Sequence, residues 1–251
     1  SYTWTYTDGK KIDWRPRHVI WHENGQMRLE ASFLGDKRDG RWIEWYENGQ
    51  MRFQGNFKDG KKDGRWTEWH ENGQCRFQGN FKGGKRDGLW TGWHENGQKH
   101  SEGNFKDDQK DGWWTEWSAS GRKLMEGNFK DDNKDGPWTY WHENGRKQSE
   151  EIFMDGKLDG LSKGWDDEGR KETESNWKEG KMDGLVARWY ENGQKEEEAN
   201  FKEGKLWSVV VWKPDGEKCP VTNVVNGNGV MVYYNDDGKE AYRQTYKDGN
   251  K

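Results

Sequence analysis

The chain contains few of the residues that usually fill a protein core. Val, Leu, Ile and Phe together number 31 of its 251 residues, a share below the roughly 20% at which disorder becomes the expectation. Cysteine is also scarce, and Cys75 and Cys219 alone cannot form a disulfide framework. No apolar run approaches the ~18 residues of a membrane-spanning helix. These shortages exclude a common type of α/β enzyme and a helical membrane protein.

What the chain has instead is aromatic rings and glycine. It contains 19 Trp, 9 Tyr, 9 Phe and 34 Gly, and its formal net charge is only −4. Disordered chains are poor in aromatic residues and high in net charge. The sequence therefore predicts an ordered protein whose core is built from rings.

A repeat of 24 residues organises these rings, and such a period is typical of a repeat architecture. The first Trp column is Trp21, Trp45, Trp69, Trp93, Trp117, Trp141, Trp165 and Trp189. A glycine follows each of these Trp residues after four positions. A second aromatic column is Phe33, Phe57, Phe81, Phe105, Phe129, Phe153, Trp177 and Phe201. We expect these rings to stack from repeat to repeat and to form the core.

Each repeat carries two turn signals and two strand-like segments. Asn72-Gly73 is the strongest short-range hairpin signal, and Asp87-Gly88 predicts the next reversal. Residues 65–70 and 75–81 between them are rich in strand formers or alternate in polarity. Glycines at 55, 79, 103 and 127 are expected to let a neighbouring ring lie flat on the strand. The sequence predicts an all-β, elongated, single-layer meander of repeated β-hairpins without helix.

The period also predicts the domain organisation. Residues 1–16 form an N-terminal partial repeat with a turn at Asp8-Gly9, and residues 17–205 form eight regular repeats. From residue 206 the period fails and valine becomes frequent, so residues 206–251 are interpreted as a C-terminal β cap with degenerate hairpins. A cap is expected to close the open edge of the sheet. The chain begins at Ser1, which leaves the compartment open: a cytoplasmic protein is favoured, or an exported one if a signal segment was removed.

Catalytic and metal-binding patterns are weak. A column formed by His22, His70, His94 and His142 also contains tyrosine, serine and aspartate, so it does not supply a consistent set of metal ligands. Paired carboxylates lie in turns, where acid–base chemistry lacks a dry pocket. The sequence predicts no enzyme, no metal and no cofactor.

Charge varies along the array. Residues 143–204 contain 17 acidic and 11 basic residues, a net charge of −6. Two columns two residues apart become acidic there, and alternation along a strand would place both on one face. We expect this acidic face to bind a basic partner, with aromatic anchors beside it. The predicted partner-binding residues are Glu150, Glu172, Glu174, Glu196, Glu198, Trp189 and Tyr190.

The repeat resembles the bacterial variant of the MORN repeat, as in G-R-W-I-E-W-Y-E-N-G-Q…F-K-D-G over residues 40–60. This resemblance implies a hairpin array and points to antitoxin or immunity proteins of the YwqK type, which bind and neutralise a toxin. Two alternatives stay open: a repeat scaffold that organises a complex or membrane contact, and a cell-wall glycan or ligand-binding module that uses the aromatic ladder. The expected partner is a protein, and direct nucleic-acid binding is disfavoured by the net negative charge. Membrane binding is not expected, and a monomer is expected.

Overall fold

The computed structural model describes residues 6–7, 10–11 and 17–251. The chain divides into two compact units, residues 1–121 (unit 1) and 122–251 (unit 2). Every regular element of the described residues is a β-strand, and every strand pairing within each unit is antiparallel. None of the described residues belongs to a helix that could span a membrane. The predicted fold class, an all-β meander of repeated hairpins, is confirmed.

The strands of unit 1 are β1 (Tyr6–Thr7), β2 (Lys10–Lys11), β3 (Arg17–Trp21), β4 (Met27–Leu34), β5 (Lys37–Trp45), β6 (Met51–Lys58), β7 (Lys61–Trp69), β8 (Cys75–Lys82), β9 (Lys85–Arg86), β10 (Gly88–Trp93), β11 (Lys99–Lys106) and β12 (Gln109–Trp117). The first two strands pair only with each other. Strand β8 pairs with both β9 and β10, which form one arm of a hairpin. The predicted turn at Asp8-Gly9 lies outside the described residues.

The strands of unit 2 are β13 (Lys123–Lys130), β14 (Asn133–Trp141), β15 (Lys147–Met154), β16 (Lys157–Leu158), β17 (Gly160–Trp165), β18 (Lys171–Lys178), β19 (Lys181–Trp189), β20 (Lys195–Lys202), β21 (Lys205–Val211), β22 (Gly229–Tyr234) and β23 (Glu240–Tyr246). From β13 to β21 each hairpin follows the previous one in chain order. The last two strands form a separate hairpin sheet.

One of the two predicted turns in each repeat is displaced. Strands β6 and β7 are joined at Asp59-Gly60, whose φ angles are 52° and 81°, the combination of a type I′ hairpin turn. Gly64, which is the equivalent in this repeat of Gly88 in the predicted turn Asp87-Gly88, instead lies within β7 beside a shift of the strand register. The turn predicted at Asp87-Gly88 is wrong in the same way, because the reversal lies at Gly83-Gly84. The second Asp-Gly pair is therefore a bulge and not a turn.

The Asn-Gly turns lie where they were predicted. In the loop after β7, the N–H of His70 donates to the carbonyl of Gln74, and the N–H of Gly73 donates to the carbonyl of His70. Gly73 has a φ of 82°, whereas Asn72 does not adopt positive φ. The loop is thus a tight turn closed by one left-handed glycine, the arrangement of longer hairpin loops.

The core rings come from a different Trp column than predicted. Trp66 and Trp114 are only 5% and 6% exposed, whereas Trp21 of the predicted column is 58% exposed. Trp66 contacts Phe57 and Phe81 edge-on, with ring centroids 5.3 and 5.9 Å apart. This geometry is favoured by aromatic pairs. The core of unit 1 is thus a ladder of alternating indole and phenyl rings, while the rest of the predicted Trp column, from Trp45 onward, is half-buried.

Glycine makes room for this ladder, as predicted. The ring of Trp66 lies on Gly55, where a Cβ atom would stand 2.3 Å from ring carbons. Gly103 provides the same space for Trp114. In unit 2, Gly127 lies under Trp138, which is 1% exposed. Each of these positions excludes a side chain because an indole ring occupies its place.

Unit 2 ends in an aliphatic core covered by the C-terminal hairpin. Strands β19 to β21 and the segment after them contribute Val186, Ala199, Leu206, Val209, Val211, Cys219, Val224, Met231, Val232 and Tyr246 to this cluster. The outer edge of β21 is also bonded, because its Val211 carbonyl accepts the N–H of Cys219 and its Trp207 carbonyl accepts the N–H of Gly227. The segment after residue 205 therefore covers both a face and an edge of the last strands.

Candidate partner-binding surfaces

The Asn-Gly turns link each repeat to the next. The side chain of Asn72 accepts the N–H of Gln74 at 2.9 Å and donates to the Glu95 carbonyl of the next turn at 2.7 Å. The side chain of Gln74 lies against Gly97 of that next turn. The Glu-Asn-Gly-Gln motif is thus explained by structure, and its glutamate is the residue left in solvent: Glu95 is 83% exposed.

The histidine column performs a related structural task. Nε2 of His70 lies 3.0 Å from the carbonyl oxygen of Trp93, and Nε2 of His142 lies 2.8 Å from that of Trp165. Where the column holds Tyr46, the hydroxyl donates to the Trp69 carbonyl at 2.9 Å. Histidine and tyrosine are therefore interchangeable here because each delivers one hydrogen bond to the following repeat. Within residues 17–251 no cluster of His, Cys, Asp or Glu suits a metal ion.

Three of the predicted acidic residues form ion pairs with lysines of their own strands. The carboxylate of Glu198 accepts a hydrogen bond from Lys195 at 2.6 Å, and Glu150 and Glu174 bond to Lys147 and Lys171 in the same way. Each lysine also stands over the Trp ring of the following repeat. The ammonium-to-centroid distances are 5.6 Å from Lys147 to Trp165, 4.2 Å from Lys171 to Trp189 and 5.5 Å from Lys195 to Trp212. This surface is therefore a row of Lys–Glu pairs on rings, and we call it the Lys–Glu face of unit 2.

Glu172 and Glu196 do not alternate regularly with these three residues. The strand register shifts at both sites, so that each is the extra residue of a β-bulge. Glu172 is exposed, whereas Glu196 is half-buried. Burial raises the pKa of Glu196; nearby Arg188 lowers it and Asp236 raises it. The prediction that all five glutamates lie on one face assumed regular alternation of side chains along the strand. It was wrong for Glu172 and Glu196, because the bulge interrupts this alternation.

The two predicted aromatic anchors have different environments. Trp189 is half-buried under the ammonium of Lys171. Tyr190 is 7% exposed, and its hydroxyl donates to the Trp212 carbonyl at 2.8 Å. Burial, followed by the charge of Glu196, raises the pKa of Tyr190 to about 12. Tyr190 thus joins two repeats and is not presented on the surface.

Exposed apolar side chains accompany the Lys–Glu pairs in unit 2. Pro137 and Ile152 are directly paired across β14 and β15, and Ile152 lies two residues from Glu150 on the same strand face. Ile152 and Leu185 are each 40% exposed. Half-buried Leu161 occupies the equivalent position of β17. We call Pro137, Ile152, Leu161 and Leu185 the apolar stripe. The alternation of apolar and polar residues in the sequence does not reveal this stripe, since the stripe is apolar but lies on a face that also carries charged side chains.

The first repeats of unit 1 carry a different chemistry at the equivalent positions. Arg41 and Arg65 occupy the column of the apolar stripe and are exposed, whereas later in unit 1 the same column is apolar at Leu89 and Trp113. Met51 and Cys75 occupy the lysine positions, and Gln54 and Gln78 occupy the glutamate positions. These side chains lie on one face, because Gln54 pairs with Thr67 and Thr67 pairs with Gln78. We call this surface of unit 1, from Arg41 to Trp93, the amide face.

The repeat pattern itself has known relatives. The model of the MORN repeat variant matches residues 38–59, 62–82, 86–107, 134–155 and 182–203. A search of curated proteins found no match.

Two solved structures share low similarity with the chain. The crystal structure of TcdB2-TccC3 is 10% identical over 93% of this chain and 17% of that chain, with a TM-score of 0.23. The crystal structure of TcdB2-TccC3-Cdc42 is 10% identical over 78% of this chain and 13% of that chain, with a TM-score of 0.20. The chain thus spans less than a fifth of either. The five matched segments, each of which forms a hairpin, show that the chain contains repeats of the MORN variant.

Proposed function

We propose that this protein is a non-enzymatic, repeat-based binding scaffold that engages a protein partner through the Lys–Glu face of unit 2. More specifically, we propose that it is an antitoxin or immunity protein that neutralises a basic toxin or effector. The MORN repeats support the general role. The specific role rests on the family resemblance of the repeat and on the acidic balance of residues 143–204, whose net charge is −6.

The observation that carries the proposal is the apolar stripe. Ile152 and Leu185 expose two-fifths of their surface on a face that otherwise carries charged pairs. Pro137 and Ile152 pair directly, whereas Asn176 lies between Leu161 and Leu185. Exposed apolar side chains that are grouped on one face and rimmed by polar groups are typical of interaction sites. The charges around the stripe would orient an approaching basic partner, and the stripe would supply the desolvated centre of the contact.

The aromatic ladder supports a glycan-binding module less well. Its core rings are buried, as shown by Trp66, Trp114 and Trp138 at 6% exposure or less. The outer Trp rings from Trp117 to Trp212 each have a lysine ammonium over them, as Trp141 has Lys123 at 5.1 Å. A sugar ring would have to displace that cation before it could stack.

A matched pair of variants tests the site. Leu185→Asp places a charge in the apolar stripe, whereas Leu89→Asp makes the same change at a position of unit 1 that is 54% exposed. We expect the intact protein and the L89D variant to capture the same protein from the source cells, and L185D to lose it. Equal capture by both variants would place the interface elsewhere.

The neutralising role needs a separate readout. The captured protein, expressed alone, should arrest growth, and co-expression of the intact chain should restore it while L185D should not. A captured protein without any toxic activity would reject the antitoxin role and leave only the scaffold.

Glu172 allows a test of electrostatic steering that does not disturb the Lys–Glu pairs. Glu172→Lys should slow association and lower its salt dependence, since exposed charges at the edge of an interface act chiefly on the association rate. The control is Glu71→Lys, at an exposed turn of unit 1. An association rate that is unchanged by E172K would show that the acidic balance only keeps the protein soluble.

A further inference from the structure

The amide face of unit 1 contains a groove of about 740 Å³ that the proposed function does not use. Its walls include Arg41, Arg65, Gln54, Gln78, Trp69 and Trp93. The side chains share one sheet face: Arg41 and Arg65 lie on β5 and β7, and Asn56 of β6 pairs with Arg41 between them. The groove therefore crosses the strands, along the direction in which the repeats follow one another.

The charge in this groove is of one sign. None of the residues that line it is acidic. Within residues 17–251, Arg41 and Arg65 form no ion pair, whereas the other arginines of these repeats do: Arg76 lies 2.7 Å from Glu68, and Arg52 lies 3.9 Å from Glu44. Two exposed guanidinium groups thus face the groove without a carboxylate.

The rings of the groove are also uncovered. From Trp117 onward the equivalent rings lie beneath a lysine ammonium, as Trp117 lies 5.5 Å from Lys99. For the two rings of the groove the lysine positions hold Met51 and Cys75, of which Cys75 lines the groove. Among the described residues no Lys or Arg stands over Trp69 or Trp93. Both rings are half-buried, with part of their surface open to solvent.

We propose that this groove binds an extended acidic peptide segment in the polyproline II conformation, with two carboxylates three residues apart. Arg41 and Arg65 are one repeat apart, which is two strand spacings or about 10 Å. A polyproline II helix has three residues per turn and a rise of about 3.1 Å per residue, so carboxylates three residues apart lie on one side and about 9 Å apart. The spacing of the two arginine positions across the strands and that of the carboxylates therefore agree.

The remaining groups of the groove suit the same ligand. A polyproline II backbone makes no hydrogen bonds of its own, so its carbonyl and N–H groups need partners. Gln54 and Gln78 supply amides that both donate and accept. Trp69 and Trp93 supply the aromatic walls on which proline-containing segments dock. Planar guanidinium groups bind carboxylates through two parallel hydrogen bonds.

The phosphate backbone of a nucleic acid fits the surroundings of the groove less well. The neighbouring row of turns exposes one glutamate per repeat, among them Glu47 and Glu95, each 83% exposed. A long nucleic acid strand would pass these carboxylates, and the chain as a whole has a net charge of −4. A short segment with two carboxylates needs only the local charge of the groove.

The test uses the full chain and a fluorescein-labelled peptide with a Glu-Pro-Pro-Glu core between Gly-Ser flanks, measured by fluorescence anisotropy. The variant Arg41→Gln/Arg65→Gln should weaken binding at least tenfold, the loss of about one charge-assisted contact. The matched control Arg52→Gln/Arg76→Gln removes the same charge from two consecutive repeats but not from the groove, and should change binding less than twofold. A peptide with Gln-Pro-Pro-Gln should bind at least tenfold more weakly than the acidic peptide.

A gain of affinity provides a second test. Leu89 occupies the arginine position of the next repeat and is 54% exposed, so Leu89→Arg should tighten binding of a Glu-Pro-Pro-Glu-Pro-Pro-Glu peptide about tenfold. Equal losses in the two double variants would overturn the proposal in favour of bulk charge. Tighter binding of a ten-nucleotide oligothymidylate, lost in R41Q/R65Q, would overturn it in favour of nucleic acid. No binding of the acidic peptide would overturn it outright.

Discussion

In unit 1 the space above each core glycine is filled by an indole ring, whereas at the end of unit 2 the equivalent strand positions hold aliphatic residues. Trp66 lies on Gly55 in one region, and Val186 pairs with Ala199 in the other. In the first region the indole ring alone fills the space above the glycine, and it packs against the Phe rings of its own repeat and of the neighbouring one. The smaller side chains fill it only because the C-terminal hairpin brings Met231 and Val232 onto them.

The outer faces also differ, although the change begins within unit 1, where Lys99 already pairs with Glu102. Unit 1 combines Met51 with Gln54, whereas unit 2 combines Lys171 with Glu174. The Lys–Glu pair is three residues apart on one strand and bonds directly. From Lys99 and Glu102 onward the two positions change together, whereas in the first repeat Glu30 stands with Met27 and takes Arg17 as its cation. The difference teaches that a glutamate at this position is accompanied by a cation.

The largest expected effect contrasts the two Trp columns on one strand. Trp114→Ala removes a ring that is 6% exposed and should lower the free energy of unfolding by roughly 3–5 kcal/mol. Trp117→Ala removes a half-buried ring and should cost about half as much. Urea denaturation of both variants measures the difference. Equal losses would mean that both columns contribute to the core, as the sequence alone had predicted for Trp117.

The next largest loss of stability is expected from substitution of the glycines beneath the rings. A Cβ atom on Gly103 would stand 2.1 Å from Trp114, so Gly103→Ala should cost about 3 kcal/mol, the upper end for overpacking. The reverse change in the aliphatic region, Ala199→Gly, should cost about 1 kcal/mol. If thermal denaturation shows Gly103→Ala to be neutral, the ring ladder is not close-packed in solution.

A smaller effect concerns pH and the buried carboxylate of the aliphatic region. Glu197 is 5% exposed, and burial raises its pKa above the ordinary value of 4.5, although Arg188 opposes this. Because the folded state prefers the protonated form, this contribution to stability is complete below about pH 4.5 and is lost as the pH rises through the raised pKa.

Glu197→Gln should therefore raise the free energy of unfolding at neutral pH and flatten its decline between acidic and neutral pH. Denaturation at a series of pH values measures both quantities. Glu172→Gln removes the same charge from an exposed position and controls for net charge. A decline as steep in E197Q as in the parent would assign the pH dependence to other groups.

The smallest effect is expected from exchanging the outer pairs. Lys171→Met/Glu174→Gln gives unit 2 the pair found in unit 1, and the free energy of unfolding should stay within about 0.5 kcal/mol of the parent. The two single variants should show a coupling of about 0.2–1 kcal/mol in a double-mutant cycle, as partly exposed ion pairs do. A coupling of zero would mean that the pair forms no stabilising contact in solution.

The sequence predicted the repeat, the strands and the Asn-Gly turns, because these depend on local chemistry. It misplaced the second turn, since two Asp-Gly pairs stand four residues apart, as Gly60 and Gly64 do, and both suit positive φ. Only strand pairing decides which of them reverses the chain. It also chose the wrong Trp column, because both columns have the same period and burial depends on which face the next repeat covers.

The candidate site was predicted less completely for a related reason. Glu150, Glu174 and Glu198 were correctly grouped in one column, but their lysines were not identified as partners. The bulges at Glu172 and Glu196 break the alternation on which the face was predicted. A bulge leaves no distinct residue pattern here, so only the register revealed it. The predicted use of these residues in partner binding stays a prediction.

The hydrogen bonds from Asn72 to Glu95 and from Tyr190 to Trp212 give the array a direction. Both donors reach forward in the chain, and Asn192, the asparagine of the last Glu-Asn-Gly-Gln turn, donates to the carbonyl of Pro214 in the C-terminal segment. The repeats whose turns carry Asn with His or Tyr therefore share one type of coupling, whereas Asp166 bonds within its own turn. Excising or duplicating 24 residues rejoins each donor to an equivalent acceptor, whereas any other length breaks the series. Recombination that removes or adds whole units of 24 residues can therefore change the number of binding positions. The hydrogen bond from the last turn to the C-terminal segment is preserved.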